Sequence, residues 1–143
     1  MGYSPLDGLT MGTRSGAIDG MAVLRIVEER GKSEASRILN KNSGLKGLCG
    51  TNDMRDLIAS DTPEATFAVD HFCYWAARHA GSAIVAMKGV DAIAFTGGIG
   101  ENAPDIRTNI MKHLAFLGDP PVHVIEAQEE RQIARDATQQ GAS

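Results

Sequence analysis

Hydrophobic positions in the second half of the chain change from a strand-like to a helix-like spacing. Residues 90–95 form a short, mostly apolar run that ends at a glycine cluster, a pattern typical of a buried strand. Pro104 follows the cluster, and proline is favoured in the first turn of a helix. Apolar residues then recur at helical spacing, at Ile106, Ile110, Leu114 and Leu117. The pattern predicts a strand, a glycine turn and a helix in direct succession.

The glycine turn of residues 97–100 lies where a phosphate group can bind. Glycine lets the backbone approach a ligand closely. The start of the following helix offers free N–H groups at the positive end of its dipole. A glycine turn that merely joins a strand to a helix would have the same sequence. From this stretch alone, phosphate or nucleotide binding and a purely structural turn both stay open.

Helical patterns dominate the rest of the chain. The longest covers residues 63–87, and its apolar stripe consists of Ala65, Val69, Phe72, Ala76, Ala80, Ala83 and Met87. Tyr74 and Trp75 lie off the centre of that stripe and can face a partner. Shorter helices are predicted over residues 20–30 with Asp19 as the cap, over 33–40 with Ser33 as the cap, from 53, and over 128–140. The glycine-rich residues 1–17 and 41–52 are predicted to be loops.

A second short strand, over residues 122–125, completes one right-handed βαβ unit with the strand before the glycines. A two-stranded sheet is marginal by itself. We therefore expect either that the helices cover the sheet well or that its partner strands lie outside this chain.

Length and composition indicate one ordinary folded domain over residues 1–143. The chain is 43% hydrophobic and 22% charged, which is usual for a globular protein. The net charge of −4 gives no reason to expect nucleic acid or an acidic membrane surface as a partner. The sequence has no apolar run of membrane-spanning length and no signal peptide. Cys49 and Cys73 show no metal or redox spacing, which fits a reduced cytosol and predicts a cytoplasmic location.

Three further features bear on chemistry, and each also has a simpler structural explanation. Arg14, on a glycine-flanked loop, can present its planar guanidinium to phosphate or carboxylate oxygens, or can be an exposed loop residue. Asp53 and Arg55 can pair with each other or cap a helix. Glu129 and Glu130 open the last helix, where acids favour the dipole, and they can also hold a hard cation such as Mg²⁺.

A dinucleotide-binding motif is an alternative interpretation of the glycine turn. Gly98, Gly100 and Ala103 fit the fingerprint G-x-G-x-x-G/A after a strand, and Glu126 stands at the end of the next strand. The separation of Gly98 from Glu126 is longer than the usual spacing of about 20 residues. A dinucleotide-binding, Rossmann-like oxidoreductase domain would explain neither the Arg14 segment nor the Asp53–Arg55 segment.

Four segments in order resemble the C-terminal portion of acetate kinase and its propionate and butyrate kinase relatives. They are residues 1–16 (MGYSPLDGLTMGTRSG), 43–56 (SGLKGLCGTNDMRD), 95–107 (FTGGIGENAPDIR) and 124–136 (VIEAQEERQIARD). The resemblance covers nearly the whole chain. It implies an α/β fold: part of a ribonuclease-H-like domain of the actin-like ATPase superfamily, helix-rich, with a small, incomplete parallel sheet.

The resemblance also implies an activity and a set of site residues. The family moves a phosphoryl group between ATP and a short carboxylate such as acetate, using Mg²⁺. By resemblance, Arg14 is the catalytic arginine that stabilises the transferring phosphoryl group, and Glu129 is the metal-binding glutamate. The residues implied to bind ATP or ADP are Asp53, Met54 and Arg55 on the adenosine side, and Gly97, Gly98, Ile99, Gly100 and Glu101 along the nucleotide.

The resemblance further implies that this chain supplies the nucleotide-binding part of the enzyme. A preceding domain, with the catalytic aspartate and the carboxylate pocket, is expected to lie outside it. On that expectation the chain is inactive by itself, and its partners are a second copy in a homodimer and a separate chain carrying the missing domain. A non-catalytic dimerisation or regulatory remnant is the other alternative, because half of the enzyme is outside the chain and Trp75 lies off the apolar stripe.

Overall fold

A computed structural model of the chain describes residues 2–140. Met1, part of the first resembling segment, and residues 141–143, part of the predicted domain, lie outside the described residues. Between residues 2 and 140 the chain forms helices and two short strands in a mixed order. The elements are α1 (Gly20–Arg30), α2 (Lys32–Lys41), α3 (Gly44–Cys49), α4 (Met54–Ile58), α5 (Pro63–Met87), β1 (Ile93–Phe95), α6 (Gly97–Asn102), α7 (Pro104–His113), a 3₁₀ turn (Ala115–Leu117), β2 (Val122–Val124) and α8 (Glu129–Gln140).

The fold is organised around α5, whose predicted bounds are confirmed. The Thr62 hydroxyl accepts a hydrogen bond from the Ala65 amide, and Pro63 occupies the first turn. The helix ends at Met87 and is followed by the C-cap Lys88, which adopts a left-handed conformation with φ of 64°. Its buried residues are Ala65, Ala68, Phe72, Cys73 and Ala77. The predicted stripe is therefore only partly right: it contains Ala65 and Phe72 but not the other three buried residues, and it continues to the exposed Ala83 and Met87, past the last buried position.

The hydrophobic core forms where α3, α4 and α7 pack on α5. Leu45, Ile106 and Leu114 are each at most 2% exposed and belong to the same core cluster as Cys73, on α5. Burial raises the pKa of the Cys73 thiol to about 11. Cys49 is also a free thiol, but it is only half-buried, and its Sγ donates to the carbonyl of Leu45 at 2.9 Å.

The two strands pair in parallel, with Ile93 opposite Val122 and Phe95 opposite Val124. This confirms the predicted βαβ unit. The expectation that residues 90–95 form a buried strand is wrong: Ala94 is exposed, and all of β2 is exposed. The described helices cover β1 only in part, through the half-buried Ile93 and Phe95. Within residues 2–140, no helix combines the length and the apolar character needed to cross a membrane.

Three local predictions need correction. Ser33 does not cap α2, because the helix already begins at Lys32 and its N-cap is Gly31. The predicted loop over residues 41–52 contains α3, which is stabilised by contacts far away in the sequence. The predicted glycine turn over residues 97–100 is helical and forms α6, while α7 begins at Pro104 as expected. Asp19 caps α1 as predicted, accepting from the Met21 amide at 2.8 Å.

Candidate functional site

Arg14 lies on a loop of residues 8–17, the Arg14 loop, whose backbone is fixed to neighbouring helices. The carbonyl of Met11 accepts from the Leu45 amide at 3.0 Å, and the carbonyl of Gly12 accepts from the Lys46 amide at 2.9 Å. Both amides belong to the first turn of α3, where helix N–H groups have no partner within the helix. The loop therefore supplies the N-terminal cap of α3. This explains why a glycine-rich segment becomes helical.

Two glycines let the Arg14 loop fold this closely. Gly44 has φ of 64°, and a side-chain carbon at that position would overlap the Met11 carbonyl oxygen and lie 2.7 Å from the carbonyl oxygen of Arg14. Gly16 has φ of 72°, and an added carbon there would lie 2.6 Å from the Thr10 amide nitrogen. Glycine alone tolerates both the backbone angle and the contact. The position of Arg14 is thus determined by backbone contacts within the chain.

The guanidinium of Arg14 has no carboxylate partner among the described residues. Its polar contact there is between Nη1 and the sulfur of Met11, at 3.8 Å. The side chain is half-buried and lines a cleft of about 360 Å³, the arginine cleft, together with Asn40, Lys41 and Asn52. A cation held on a rigid loop without a counter-ion is suited to binding an oxyanion.

Asp53 and Arg55 pair with each other, and Asp53 also caps a helix, as the simpler structural explanations predicted. Asp53 caps α4 by accepting from the Arg55 amide at 2.9 Å, and its other oxygen lies 2.6 Å from Arg55 Nη2. The Arg55 side chain and amide lower the pKa of Asp53 to about 2. Met54, between them, is only 6% exposed and packs into the core. The Asp53 carboxyl is therefore ionised at neutral pH and paired with Arg55.

The glycine helix α6 is held by polar contacts rather than by buried side chains. Nη1 of Arg107, on α7, donates to the carbonyls of Gly100 and Glu101 at 2.9 and 3.0 Å. A cation in this place complements the negative end of the helix dipole and satisfies carbonyls that a helix end leaves free. No role was assigned to Arg107 from the sequence, although it is the last residue of the resembling segment 95–107.

The carboxylate of Glu101 lies at the start of α6, where the sequence predicted a bound phosphate group. Its Oε1 accepts from the Gly97 amide at 2.7 Å and from the Ala127 amide at 2.9 Å. The backbone N–H of Gly97 at the start of α6 is therefore bonded to the protein's own carboxylate. Glu101 also ties the segment before α8 to the start of α6.

The Asp53–Arg55 segment and the glycine helix form opposite walls of one cleft of about 530 Å³, the central cleft. Its lining residues are Asn52, Asp53, Met54, Arg55, Ile58, Gly98, Ile99, Asn102 and Ala103. Two segments that are more than 40 positions apart in the sequence thus face each other. Asn52 and Asn102, which sequence reasoning did not single out, add side-chain amides to this cleft.

Glu129 lines a third cleft, of about 520 Å³, with Glu130, Gly97 and Gly98; we call it the acidic cleft. Both glutamates are exposed and lie in the first turn of α8. Within the described part of the chain, no three histidine, cysteine or acidic side chains group closely enough to hold a metal ion. Two carboxylates suit Mg²⁺, which commonly takes one or two carboxylates together with water and substrate phosphate oxygens.

The three clefts share residues and form one continuous run. Asn52 lines both the arginine cleft and the central cleft, and Gly98 lines both the central and the acidic cleft. Arg14, the Asp53–Arg55 segment, the start of α6 and Glu129 therefore follow one another along the same surface. Gly100 and Glu101 line none of these clefts: Gly100 packs against Phe95, and Glu101 bonds to backbone amides.

The structure does not support the dinucleotide-binding interpretation. That fingerprint needs one helix running on from its glycines. Here α6 ends at Asn102, Ala103 is buried at the junction, and a separate helix begins at Pro104. Glu126 is exposed and makes none of the hydrogen bonds found among the described side chains.

Comparison with known proteins gives one consistent result. A family model described as the Acetokinase family matches residues 1–140. The chain is 45% identical over 158 residues to an acetate kinase from Nitrobacter hamburgensis, an alignment covering 94% of this chain and 39% of that protein. It is 46% identical over 123 residues to an acetate kinase from Carboxydothermus hydrogenoformans, covering 82% of this chain and 31% of that protein.

Solved structures agree with the sequence relatives. An acetate kinase from Entamoeba histolytica superposes with a TM-score of 0.90 at 28% identity, over 97% of this chain and 44% of that one. A propionate kinase from Francisella tularensis superposes with a TM-score of 0.84 at 39% identity, over 91% of this chain and 40% of that one. The predicted fold class is thereby confirmed. The chain spans about two fifths of the length of these relatives.

Proposed function

The chain belongs to the acetokinase family, and from that premise we propose that it is the C-terminal, nucleotide-binding portion of a phosphotransferase. The proposed reaction moves a phosphoryl group between ATP and the carboxylate of acetate, giving acetyl phosphate and ADP. The relatives that support it are named acetate kinase or propionate kinase and are longer than this chain. The choice of acetate as the acceptor carboxylate is part of the proposal.

One observation carries the proposal: the continuous run of the arginine, central and acidic clefts. A nucleoside triphosphate is an elongated ligand with an apolar base at one end and a charged triphosphate at the other. The central cleft offers the partly apolar walls of Met54, Ile58 and Ile99 to the adenosine. The two clefts that share lining residues with it offer groups for the phosphate end, a cation at Arg14 and carboxylates at Glu129 and Glu130.

Arg14 is proposed to act on the transferring phosphoryl group. In phosphoryl transfer, negative charge spreads over the equatorial oxygens in the transition state, and positioned cations stabilise it. The guanidinium on the backbone-fixed Arg14 loop has no carboxylate partner within residues 2–140, so it is suited to this role: it has no counter-ion there to leave. The Asp53–Arg55 pair is proposed to fix the wall of the central cleft against the adenosine.

Glu129 is the residue proposed to hold Mg²⁺, with Glu130 beside it. When bound, the metal ion would neutralise phosphate charge and help to orient the phosphoryl group. The remaining metal ligands would come from water, from phosphate oxygens and from protein segments outside this chain. The chain itself contributes the carboxylates and the Gly97–Gly98 backbone that borders the same cleft.

The proposed partners follow from the family and from the exposed surface. We propose a homodimer and, where the gene encodes it elsewhere, a further domain that brings the carboxylate pocket. Exposed apolar side chains support association: Tyr74 is 49% exposed on α5 and Phe116 is 74% exposed after α7. By this proposal the chain without its partner domain has no phosphotransferase activity.

Titration calorimetry with ADP and Mg²⁺ tests the nucleotide site, with NAD titrated in parallel. We expect ADP to bind and NAD not to bind. Two matched variants sharpen the test: Asp53→Ala removes the cap of α4 inside the central cleft, and Asp19→Ala removes the equivalent cap of α1, which lines none of the three clefts. ADP affinity should fall in the first variant and stay unchanged in the second.

Either of two results would overturn the proposal. Binding of NAD without binding of ADP would exclude the kinase function. Equal losses of ADP affinity in the two cap variants would place the nucleotide outside the central cleft.

A further inference from the structure

A hydrogen bond of 3.0 Å joins His71, on α5, to the hydroxyl of Thr10 in the Arg14 loop. Thr10 is 7% exposed and is the buried polar residue of the described core. Its hydroxyl also lies 3.3 Å from the carbonyl oxygen of Ser15, on the other side of Arg14. The contact therefore crosses 61 positions of sequence and connects the central helix to both ends of the turn that presents Arg14.

The direction of these bonds follows from the number of available protons. The Thr10 hydroxyl has one hydrogen, and the Ser15 carbonyl can only accept. Both contacts are satisfied together when Thr10 donates to Ser15 and His71 donates from Nε2–H to Thr10. Burial lowers the pKa of His71 and so favours its neutral form, in which one ring nitrogen carries the proton.

We propose that His71 is a positioning residue for Arg14, acting through Thr10 and Ser15. This inference rests on the proposed function, since it assumes that Arg14 acts on the transferring phosphoryl group. The backbone bonds to α3 fix the first half of the Arg14 loop, at Met11 and Gly12. The second half, at Ser15, is fixed by its amide bond to the Leu39 carbonyl at 3.0 Å and by this chain of side-chain bonds from α5.

The consequence for kinetics is specific. A misplacement of about 1 Å in a catalytic group costs up to about a hundredfold in rate. His71 lines none of the arginine, central and acidic clefts. Loss of its bond should therefore lower kcat by between about 10- and 100-fold while leaving the KM for ATP within about twofold.

The test compares two replacements of His71 in the protein that contains this chain. His71→Phe keeps a planar ring but removes the donor to Thr10, and it should show the reduced kcat. His71→Gln keeps a donor that can reach the Thr10 hydroxyl, and it should recover most of the kcat. Thr10→Val should resemble His71→Phe, and combining the two should add little further loss, because both remove the same bond.

His79→Phe is the matched control. His79 lies two turns further along α5, is exposed, and donates to no partner among the described residues. Its kcat should equal that of the unmodified protein. A His71→Phe variant with unchanged kcat, or a His71→Gln variant as slow as His71→Phe, would overturn the positioning role.

Hydrogen exchange separates this inference from the proposed function. The Ser15 amide should exchange faster in His71→Phe than in the unmodified protein, whatever reaction the protein catalyses. Faster exchange in a protein without phosphotransferase activity would support the positioning of the loop and reject the proposed function. Unchanged exchange would overturn the inference even where the kinase activity is present.

Discussion

The two ends of the candidate site are held in very different ways. At one end, the Arg14 loop is bonded through its backbone to α2 and α3 and through Thr10 to α5. At the other end, Glu129 begins a helix whose side chains are all exposed from residue 129 to residue 138. The segment before that helix is attached by one bond from the Ile125 amide to the Phe95 carbonyl and one from the Ala127 amide to Glu101.

This difference indicates that Arg14 is positioned before any ligand binds, whereas Glu129 is positioned only when a ligand or partner binds. Regions with few buried contacts and exposed backbone open at low free energy, whereas densely bonded regions open only with the core. We therefore expect the cation of the site to be in place in the free protein. The carboxylates of the acidic cleft are expected to gain their final order from phosphate, metal or a neighbouring chain segment.

The largest expected effect concerns the well-ordered end. In the longer protein that contains this chain, Arg14→Ala should lower kcat by about 10³–10⁵-fold, the range found when a positioned arginine finger is lost. The melting temperature should change little, because the polar contact of the guanidinium within the described part of the chain is a weak one, to Met11. Steady-state assay of acetyl phosphate formation and a thermal melt measure the two quantities.

Arg25→Ala is the control for Arg14, since Arg25 is an exposed arginine paired with Glu29 on α1. It should leave both kcat and the melting temperature unchanged. Near-normal turnover in Arg14→Ala would remove the residue from the mechanism.

Gly44→Ala tests the packing that holds the Arg14 loop against α3. The added carbon would overlap the Met11 carbonyl oxygen at a backbone φ of 64°. A destabilisation of about 2–3 kcal/mol is expected. Gly20→Ala is matched, because its added carbon meets nothing within 4 Å at the start of α1, and its effect should stay below about 1 kcal/mol. Equal melting temperatures for the two variants would contradict the account of the loop.

Glu101→Ala tests the attachment at the less ordered end. Hydrogen bonds to a charged group contribute about 1.5–3 kcal/mol, so amide exchange at Ala127 should accelerate at least about tenfold. The amides of Leu45 and Lys46 should keep their protection. Glu130→Gln, in the first turn of α8, is the control and should change neither. Slow exchange at Ala127 in Glu101→Ala would mean that other contacts hold this segment.

The smallest expected effect lies between the two ends, at Asp53. Arg55 lowers the pKa of Asp53 from 3.8 to about 2, so the bond to Arg55 is fully present above pH 3.8 and is lost as the pH falls through about 2. Carboxyl NMR should show this titration. In Arg55→Met the pKa of Asp53 should rise towards 3.8, because the side-chain hydrogen bond, the largest cause of the shift, is gone. An unchanged titration would assign the shift to the backbone amides alone.

Sequence periodicity predicted the elements whose causes are local. The bounds of α5 followed from the helical pattern of apolar residues between Pro63 and Met87. The parallel βαβ unit followed from two apolar runs flanking a helix. The resemblance to the acetate kinase family, confirmed by the family match, placed the site segments that the clefts bring together. The individual residue roles stay predictions.

The sequence could not reveal elements whose causes are distant. Helix α3 looked like a loop because it contains Gly44 and Gly47 and is followed by Gly50, and it forms because the carbonyls of Met11 and Gly12 cap it. Helix α6 looked like a turn because half of its residues are glycines, although the contacts that hold it, from Glu101 and Arg107, are close in the sequence. The Thr10–His71 bond was missed because 61 positions separate its partners.

Because the two cysteines differ in burial, the rates at which their thiols are labelled can report local and global unfolding separately. Thiol reagents react with the thiolate. Cys73 is 1% exposed, and burial raises its pKa to about 11, so in the native state it is both inaccessible to reagent and protonated. Cys49 is half-buried at the end of α3. Labelling kinetics would accordingly show two phases. The fast phase, at Cys49, would report fraying of the end of α3, and the slow phase, at Cys73, would report opening of the interior around α5.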